Sequence, residues 1–206
     1  MDAIVQDFKV ALDAFGVPYE LIVVINGNTD LSTDSEETRN GNVLSCTLKA
    51  AGWGRAVVHG CNRAQGTFVC YTNSARTQSE ELIRLARYAL LSEDTIVKAT
   101  RIDRSTWMRK WVSIMYNLLN RIILGNPIWD ENATPKIVQK KVRLSLPLKQ
   151  LNDSIDAELM YKAFKKNIPI IEIPMRQIER RGGSSTTNWQ SALSMFLGLW
   201  CIRLDA

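Results

Sequence analysis

Residues 19–30 read YELIVVINGNTD. The near-continuous apolar run at 21–25 is the pattern of a parallel strand covered on both faces. It passes directly into a turn that contains Gly27 and ends on a lone acid, Asp30, the layout of a nucleotide-handling edge. The first turn positions, however, are Ile25 and Asn26, so the carboxylates that such a turn usually presents are missing.

Working outward, residues 2–16 carry Ile4, Phe8, Ala11, Leu12 and Phe15 on one helical stripe, with Asp2 as a cap and Gly16 and Pro18 as the stop. NVLSCTL (42–48) and TFVCY (67–71) predict two further strands, with a helical stretch at 55–65 between them. Thr77 and Glu80 stand at capping-box spacing before the amphipathic ELIRLARYALL. TIVKAT (95–100) reads as a strand, and 107–124 as a periodic helix with Trp111, Met115, Leu118, Leu119 and Ile122 on one side. DAELMYKAFKKN and IPIIEIPM follow as helix and strand. This alternation predicts an α/β fold: an open, mostly parallel sheet with helices on both faces, in one domain over 1–206. The tract NTDLSTDSEETRNGN reads as a surface connection.

Composition narrows the partners. The 206 residues are 46% hydrophobic with net charge +5, and the charge is uneven: residues 1–50 hold eight acids and three bases, residues 136–181 eleven bases and five acids. The basic half suits phosphate groups or a lipid headgroup surface, whereas no recognised nucleic-acid motif organises it. Cys46, Cys61, Cys70 and Cys201 show no C-x-x-C spacing, and His59 is the only histidine, which argues against a zinc site or a disulfide framework. A reduced, cytoplasmic setting with at most peripheral membrane contact is expected. The apolar stretch 187–204, WQSALSMFLGLWCIRL at its centre, either lies on a membrane or subunit surface or completes the core.

The ordered series LIVVINGNTD, AAGWGRAVVHGCNRAQGTFVCY, SEELIRLARYAL, VKATR, RKWVSIMYNLLNRIILGNPIWD, DAELMYKAFKKNIPIIEIPM and RRGGSST resembles family-2 glycosyltransferases of the GT-A fold. The branch it is most similar to contains dolichol-phosphate mannose synthase and the polyprenyl-phosphate sugar transferases. The resemblance implies a truncated version of that fold, because the helix at 2–16 comes where the family already has one strand. It also implies a nucleotide-sugar donor, a polyprenyl phosphate acceptor and a divalent Mg or Mn ion.

Carried over position by position, the resemblance assigns Asn26 and Asp30 to the donor turn, and Gly52, Gly54 and Gly60 to the glycine segment. Arg180, Arg181, Gly183 and Ser185 match the family's phosphate-closing loop, with Thr186 where the family has Lys. Glycines at a helix start either expose amides to a phosphate or permit tight packing. The metal-binding Asp-x-Asp falls on Thr72, Asn73 and Ser74, which offer a divalent ion no negative charge. No cofactor is therefore expected. Asp130 and Asp156 fall where the family keeps acids, the latter as base or orienter of the acceptor, and Arg101 matches an acceptor-phosphate arginine. For both acids a structural role, such as Asp156 with Glu158 capping a helix, is the competing reading.

Two functions follow. One is a metal-independent, inverting hexosyl transferase. The other is a catalytically inactive pseudo-glycosyltransferase that binds, scaffolds or regulates. A chain lacking the family's first strand leaves sheet edges to be filled, so a homo-oligomer or a partner protein is expected.

Overall fold

The computed structural model describes residues 2–102, 107–176, 181 and 189–205. Helix α1 (Asp2–Phe15) ends where Gly16 turns to φ 75 and its N–H bonds back to the Leu12 and Asp13 carbonyls. Strands β1 (Leu21–Asn26), β2 (Ser35–Asn40) and β3 (Val43–Leu48) form one sheet in the order β1-β3-β2. β3 runs parallel to β1 and antiparallel to β2. Helix α2 (Trp53–Arg63) then leads to β4 (Phe68–Tyr71), α3 (Ser79–Leu90), β5 (Ile96–Arg101) and α4 (Trp107–Leu124). After these come β6 (Lys136–Gln139), α5 (Lys140–Ser145), α6 (Ile155–Lys165), β7 (Ile170–Met175) and α7 (Trp189–Leu204). The second sheet has the order β4-β6-β5-β7, with β5 parallel to β7 and β6 antiparallel to both neighbours.

The α/β architecture is the one expected, but its strands are divided between two sheets of mixed direction. Two stretches account for the difference. SEETRN lies inside the tract read as a surface connection, yet it pairs with β3 along its whole length as an exposed edge strand. KIVQ is only four residues long and fully buried between β4 and β5. The run at 21–25 is parallel as expected, but it stands at an edge and is half-buried rather than covered on both faces.

Residue alternation sorts the second sheet into two cores. Val97, Ile137 and Ile173 face α3, where Leu85 and Ala89 meet them. Ile96, Val138 and Val69 face the other way, onto Ile155, Leu159 and Met160 of α6 and Val57 of α2. A third cluster joins α4, α6 and α7 through Tyr116, Tyr161, Leu199 and Ile202.

The expected capping box at Thr77 does not form. The Thr77 hydroxyl is buried 2.6 Å from the Thr72 hydroxyl, and α3 begins at Ser79 with no side-chain cap. Helix α4 forms as expected, but most of the stripe read on it lies at the surface, with Leu119 packing against the third cluster. Trp111, Ile114, Met115, Leu118 and Ile122 are exposed, while Asn117 and Asn120 are buried.

Candidate functional site

The face of the second sheet that meets α6 is apolar at one end, through Ile96, Val138 and Ile170, and ionic at the other. The change falls at the carboxyl ends of β4, β5 and β7, the end at which open α/β sheets bind ligands. Strand register places Tyr71 of β4, Lys136 of β6, Lys98 of β5 and Glu172 of β7 side by side in one row. Both lysines are fully buried, so each requires a partner.

Lys136 donates from Nζ to Asp156 Oδ1 at 2.6 Å and to the Ala133 carbonyl at 2.7 Å. Asp156, on the first turn of α6, also accepts from the Tyr71 hydroxyl at 2.8 Å and from Trp53 Nε1 at 2.9 Å. Its carboxylate is thus buried and enclosed by a lysine, a tyrosine and a tryptophan. Lys98 Nζ donates to Glu172 Oε2 at 3.0 Å, to Thr100 Oγ1 at 3.1 Å and to the Trp129 carbonyl at 2.9 Å. Burial pushes both ammonium groups below their usual range, against the opposing pull of Asp156 on Lys136 and of Glu172 on Lys98. The same burial, with the nearby Asp156 charge, holds the Tyr71 phenol well above its ordinary value.

Arg101 and Asp130, assigned to different roles from sequence, meet each other. Arg101 donates its backbone N–H and Nε to Asp130 Oδ2 at 2.9 and 2.8 Å, and Nη2 to Oδ1. The next residue, Glu131, is buried with Oε1 accepting from Asn126 Nδ2 at 2.6 Å. Burial raises its carboxyl well above the usual range although Lys136 and Lys98 pull the other way.

The glycine segment lies close by, but it is occupied. The Gly52 N–H donates to Asn26 Oδ1 at 3.3 Å, Gly54 N–H to the Asn152 carbonyl at 3.1 Å, and Arg55 N–H to the Leu151 carbonyl at 2.9 Å. A Cβ on Gly52 would stand 2.6 Å from the Leu151 oxygen, and one on Gly54 2.7 Å from the Asn152 and Gln150 oxygens. These glycines serve the packing of loop 150–152 across the start of α2, and the amides of Gly54 and Arg55 are already used. Glu158 anchors the same loop by accepting from the Lys149 and Gln150 N–H groups. Neither Asp156 nor Glu158 caps α6, whose N-cap position is Ser154.

At the metal-motif position the polar groups bond locally. Thr72 meets Thr77, Asn73 Oδ1 accepts from Ala75 N–H at 3.2 Å, and Asn73 N–H donates to Thr134 Oγ1 at 3.3 Å. Arg181 reaches into this turn: Nη1 donates to Asp7 Oδ2 at 2.6 Å, and Nη2 to the Thr77 and Ser74 carbonyls at 2.8 and 3.2 Å. Asp30 stays exposed in an Asx turn on Asn28, apart from these contacts. Arg180, Gly183 and Ser185 lie outside the described residues.

Arg101 binds Asp130, and Ala133 links Asp130 to the Lys136–Asp156 pair, donating its N–H to the Asp130 carbonyl and accepting from Lys136; Asn26 meets Gly52 separately, whereas Gly54 and Asn73 bond to Asn152 and Thr134 outside that chain of contacts. Trp53, Tyr71, Lys98, Lys136 and Glu172 were not singled out from sequence. A signal did exist for Lys98, a lysine inside the otherwise apolar TIVKAT, where an unpartnered ammonium is not tolerated.

No protein-family model matches the chain. A curated protein, the undecaprenyl-phosphate 4-deoxy-4-formamido-L-arabinose transferase of Edwardsiella ictaluri, is 23% identical over 195 residues, covering 92% of this chain and 59% of that protein. The chain thus spans well under two thirds of that relative's length. Among solved structures, glucosyl-3-phosphoglycerate synthase from Mycobacterium tuberculosis with phosphoglyceric acid aligns at TM-score 0.63 and 14% identity, covering 93% of this chain and 82% of that one. The same enzyme with Mg2+ and uridine diphosphate aligns at 0.57 and 16%, covering 75% and 54%. The chain shares the GT-A fold of these structures, and in sequence it is similar to a polyprenyl-phosphate sugar transferase, the resemblance that its motif series carries.

Proposed function

We propose that the chain is a catalytically inactive glycosyltransferase-fold protein that works as a binding or scaffold subunit. The arrangement at residues 72–74 carries this reading. A divalent ion bridging a diphosphate needs anionic oxygen ligands, whereas this turn supplies hydroxyls and one amide, with Thr72 already bonded to Thr77 and Asn73 to the Ala75 N–H. The cation that meets the turn is the Arg181 guanidinium, already engaged by Asp7 and two carbonyls. Mg or Mn does not fit such a donor set. Asp156, enclosed by Trp53, Tyr71 and Lys136, is 2% exposed and poorly placed to take a proton from an acceptor.

The outward apolar side of α4 supports the second half of the proposal. Ile114, Met115, Leu118 and Ile122, with Leu197 and Trp200 on the adjoining α7, form a face suited to another protein or to peripheral membrane contact. Among the described residues no helix is long and apolar enough to cross a membrane.

A second reading, metal-independent sugar transfer to a polyprenyl phosphate, is favoured by the positive charge that Arg181 places at the metal position. Thermal-shift titration with UDP, GDP and their sugar conjugates, each with and without Mn2+, combined with a transfer assay on a short polyprenyl phosphate, separates the two. The expected result is no metal-dependent shift and no transfer above the protein-free blank, together with a sedimenting species larger than the 23.3 kDa chain. Metal-independent transfer would move the conclusion to the second reading, and metal-dependent transfer would overturn both.

A further inference from the structure

A separate cluster lies on the first sheet. Register sets Glu37 of β2 directly opposite Cys46 of β3. Directly opposed residues project to the same side of an antiparallel pair, and His59 of α2 comes onto that side. His59 Nε2 lies 3.1 Å from Glu37 Oε1, and the Cys46 Sγ, the imidazole nitrogen and a carboxylate oxygen all fall within 4.8 Å of one another. Cys46 is fully buried, whereas Glu37 and His59 keep partial access to solvent. Among the described residues this is the one grouping of three such side chains.

We propose that Glu37, Cys46 and His59 bind a zinc-class divalent ion, with a fourth position open to water. The donor set is chemically matched: a thiolate, an imidazole and a carboxylate are the usual zinc ligands, at about 2.3, 2.0 and 2.1 Å. The Glu37 and His59 atoms already stand as close as two zinc ligands do, and seating the ion requires Cys46 Sγ within about 3.5 Å of them, as bonds of those lengths around a tetrahedral ion dictate. The ion displaces the Cys46 thiol proton to solvent, and the resulting thiolate and carboxylate balance its two positive charges. Arg63 Nη2, 2.8 Å from Glu37 Oε1, competes for the same oxygen.

Such an ion ties three elements together. β2 has a single strand partner, β3, and a metal shared with α2 would fasten this edge from above. The site is independent of the proposed function, because none of its residues belongs to the cluster around Asp156.

The test is titration of the full chain with Co2+ and then Zn2+, reading the thiolate-to-cobalt charge-transfer band and the tetrahedral visible bands, with zinc affinity measured against a chromophoric chelator. One ion per chain is expected. Cys46→Ala and His59→Gln should each weaken binding by about tenfold or more, and Arg63→Ala should tighten it. Cys201→Ser, at an exposed cysteine elsewhere, should leave it unchanged. His59→Gln decides the matter if Cys46→Ala fails to fold, since His59 is only partly buried. Absence of stoichiometric binding, or a cobalt spectrum and affinity that survive His59→Gln, overturns the proposal.

Discussion

Lys136 and Asp156 are buried partners that tie the middle of the second sheet to the first turn of α6, with Nζ 2.6 Å from Oδ1. Removing one partner leaves an uncompensated charge in the interior, so Asp156→Ala is expected to cost about 3–5 kcal/mol in urea denaturation. The paired change Lys136→Met with Asp156→Leu, which removes both charges, should recover part of that loss, the rest remaining with the Tyr71 hydroxyl and the Trp53 N–H left without their acceptor. A pair that held the chain together only through its charge would not be rescued.

Glu131 gives the fold a pH dependence of known sign. Burial holds its carboxyl well above the ordinary 4.5, so the folded chain keeps a proton that the unfolded chain has released. The stability this group contributes is full below the unfolded value and is lost as pH rises towards the folded one, by up to about 1.4 kcal/mol per pH unit. Glu131→Gln, which cannot ionise, should therefore be more stable than the parent by a margin that widens from about pH 5 to about pH 7. Parallel denaturation midpoints for the two proteins check this, and a constant gap would count against it.

Close backbone approach at the start of α2 predicts a ranking of alanine substitutions. A Cβ at Gly54 would meet three backbone atoms of loop 150–152 at 2.7 Å, whereas one at Gly60 would meet a Val24 methyl at 3.2 Å. Gly54→Ala should cost about 1–3 kcal/mol or more and Gly60→Ala less, read as the order of melting temperatures.

The contact of Arg101 with Asp130 uses the guanidinium fork as well as its charge. Arg101→Lys keeps the charge but loses the two-pronged geometry, and should cost about 1.5–3 kcal/mol. Asp130 itself sits at φ 47, a conformation that Asn tolerates better than Ala. Asp130→Ala is accordingly expected to melt below Asp130→Asn.

Much of this was legible from sequence because periodicity reports burial. YELIVVINGNTD, TFVCY, TIVKAT and IPIIEIPM all contain strands, and Arg101 and Asp130, marked for different roles, meet in an ion pair. Three features were hidden for physical reasons. SEETRN has no apolar residue, and its pairing is set by β3 rather than by its own side chains. KIVQ is short and begins with a lysine whose burial depends on Asp156, twenty residues away. The orientation of α4 could not follow from its apolar stripe, because most of that stripe faces outward while Tyr116, Leu124 and two asparagines face the interior. The meeting of His59 with Glu37 depends on how α2 lies across β2 and β3, which no local spacing reports.

The division into β1-β3-β2 and β4-β6-β5-β7 also determines how the molecule comes apart. Among the described residues no backbone ladder joins the two sheets, and α2, which touches both β1 and β4, is the bridge between them. Besides the hydrogen bonds that the Gly52 N–H gives Asn26 and that the Gln65 and Gly66 N–H groups give Glu20, side-chain packing resists their separation, and packing contacts are lost once a gap of about an ångström opens. The smaller sheet is expected to open as a unit, its amides exchanging with solvent together and ahead of those in β5 and β6, which native-state hydrogen exchange checks. A ligand or partner that grips α2 would thus act on both halves, since α2 packs on β1 and also gives Val57 and Cys61 to the core of the second sheet.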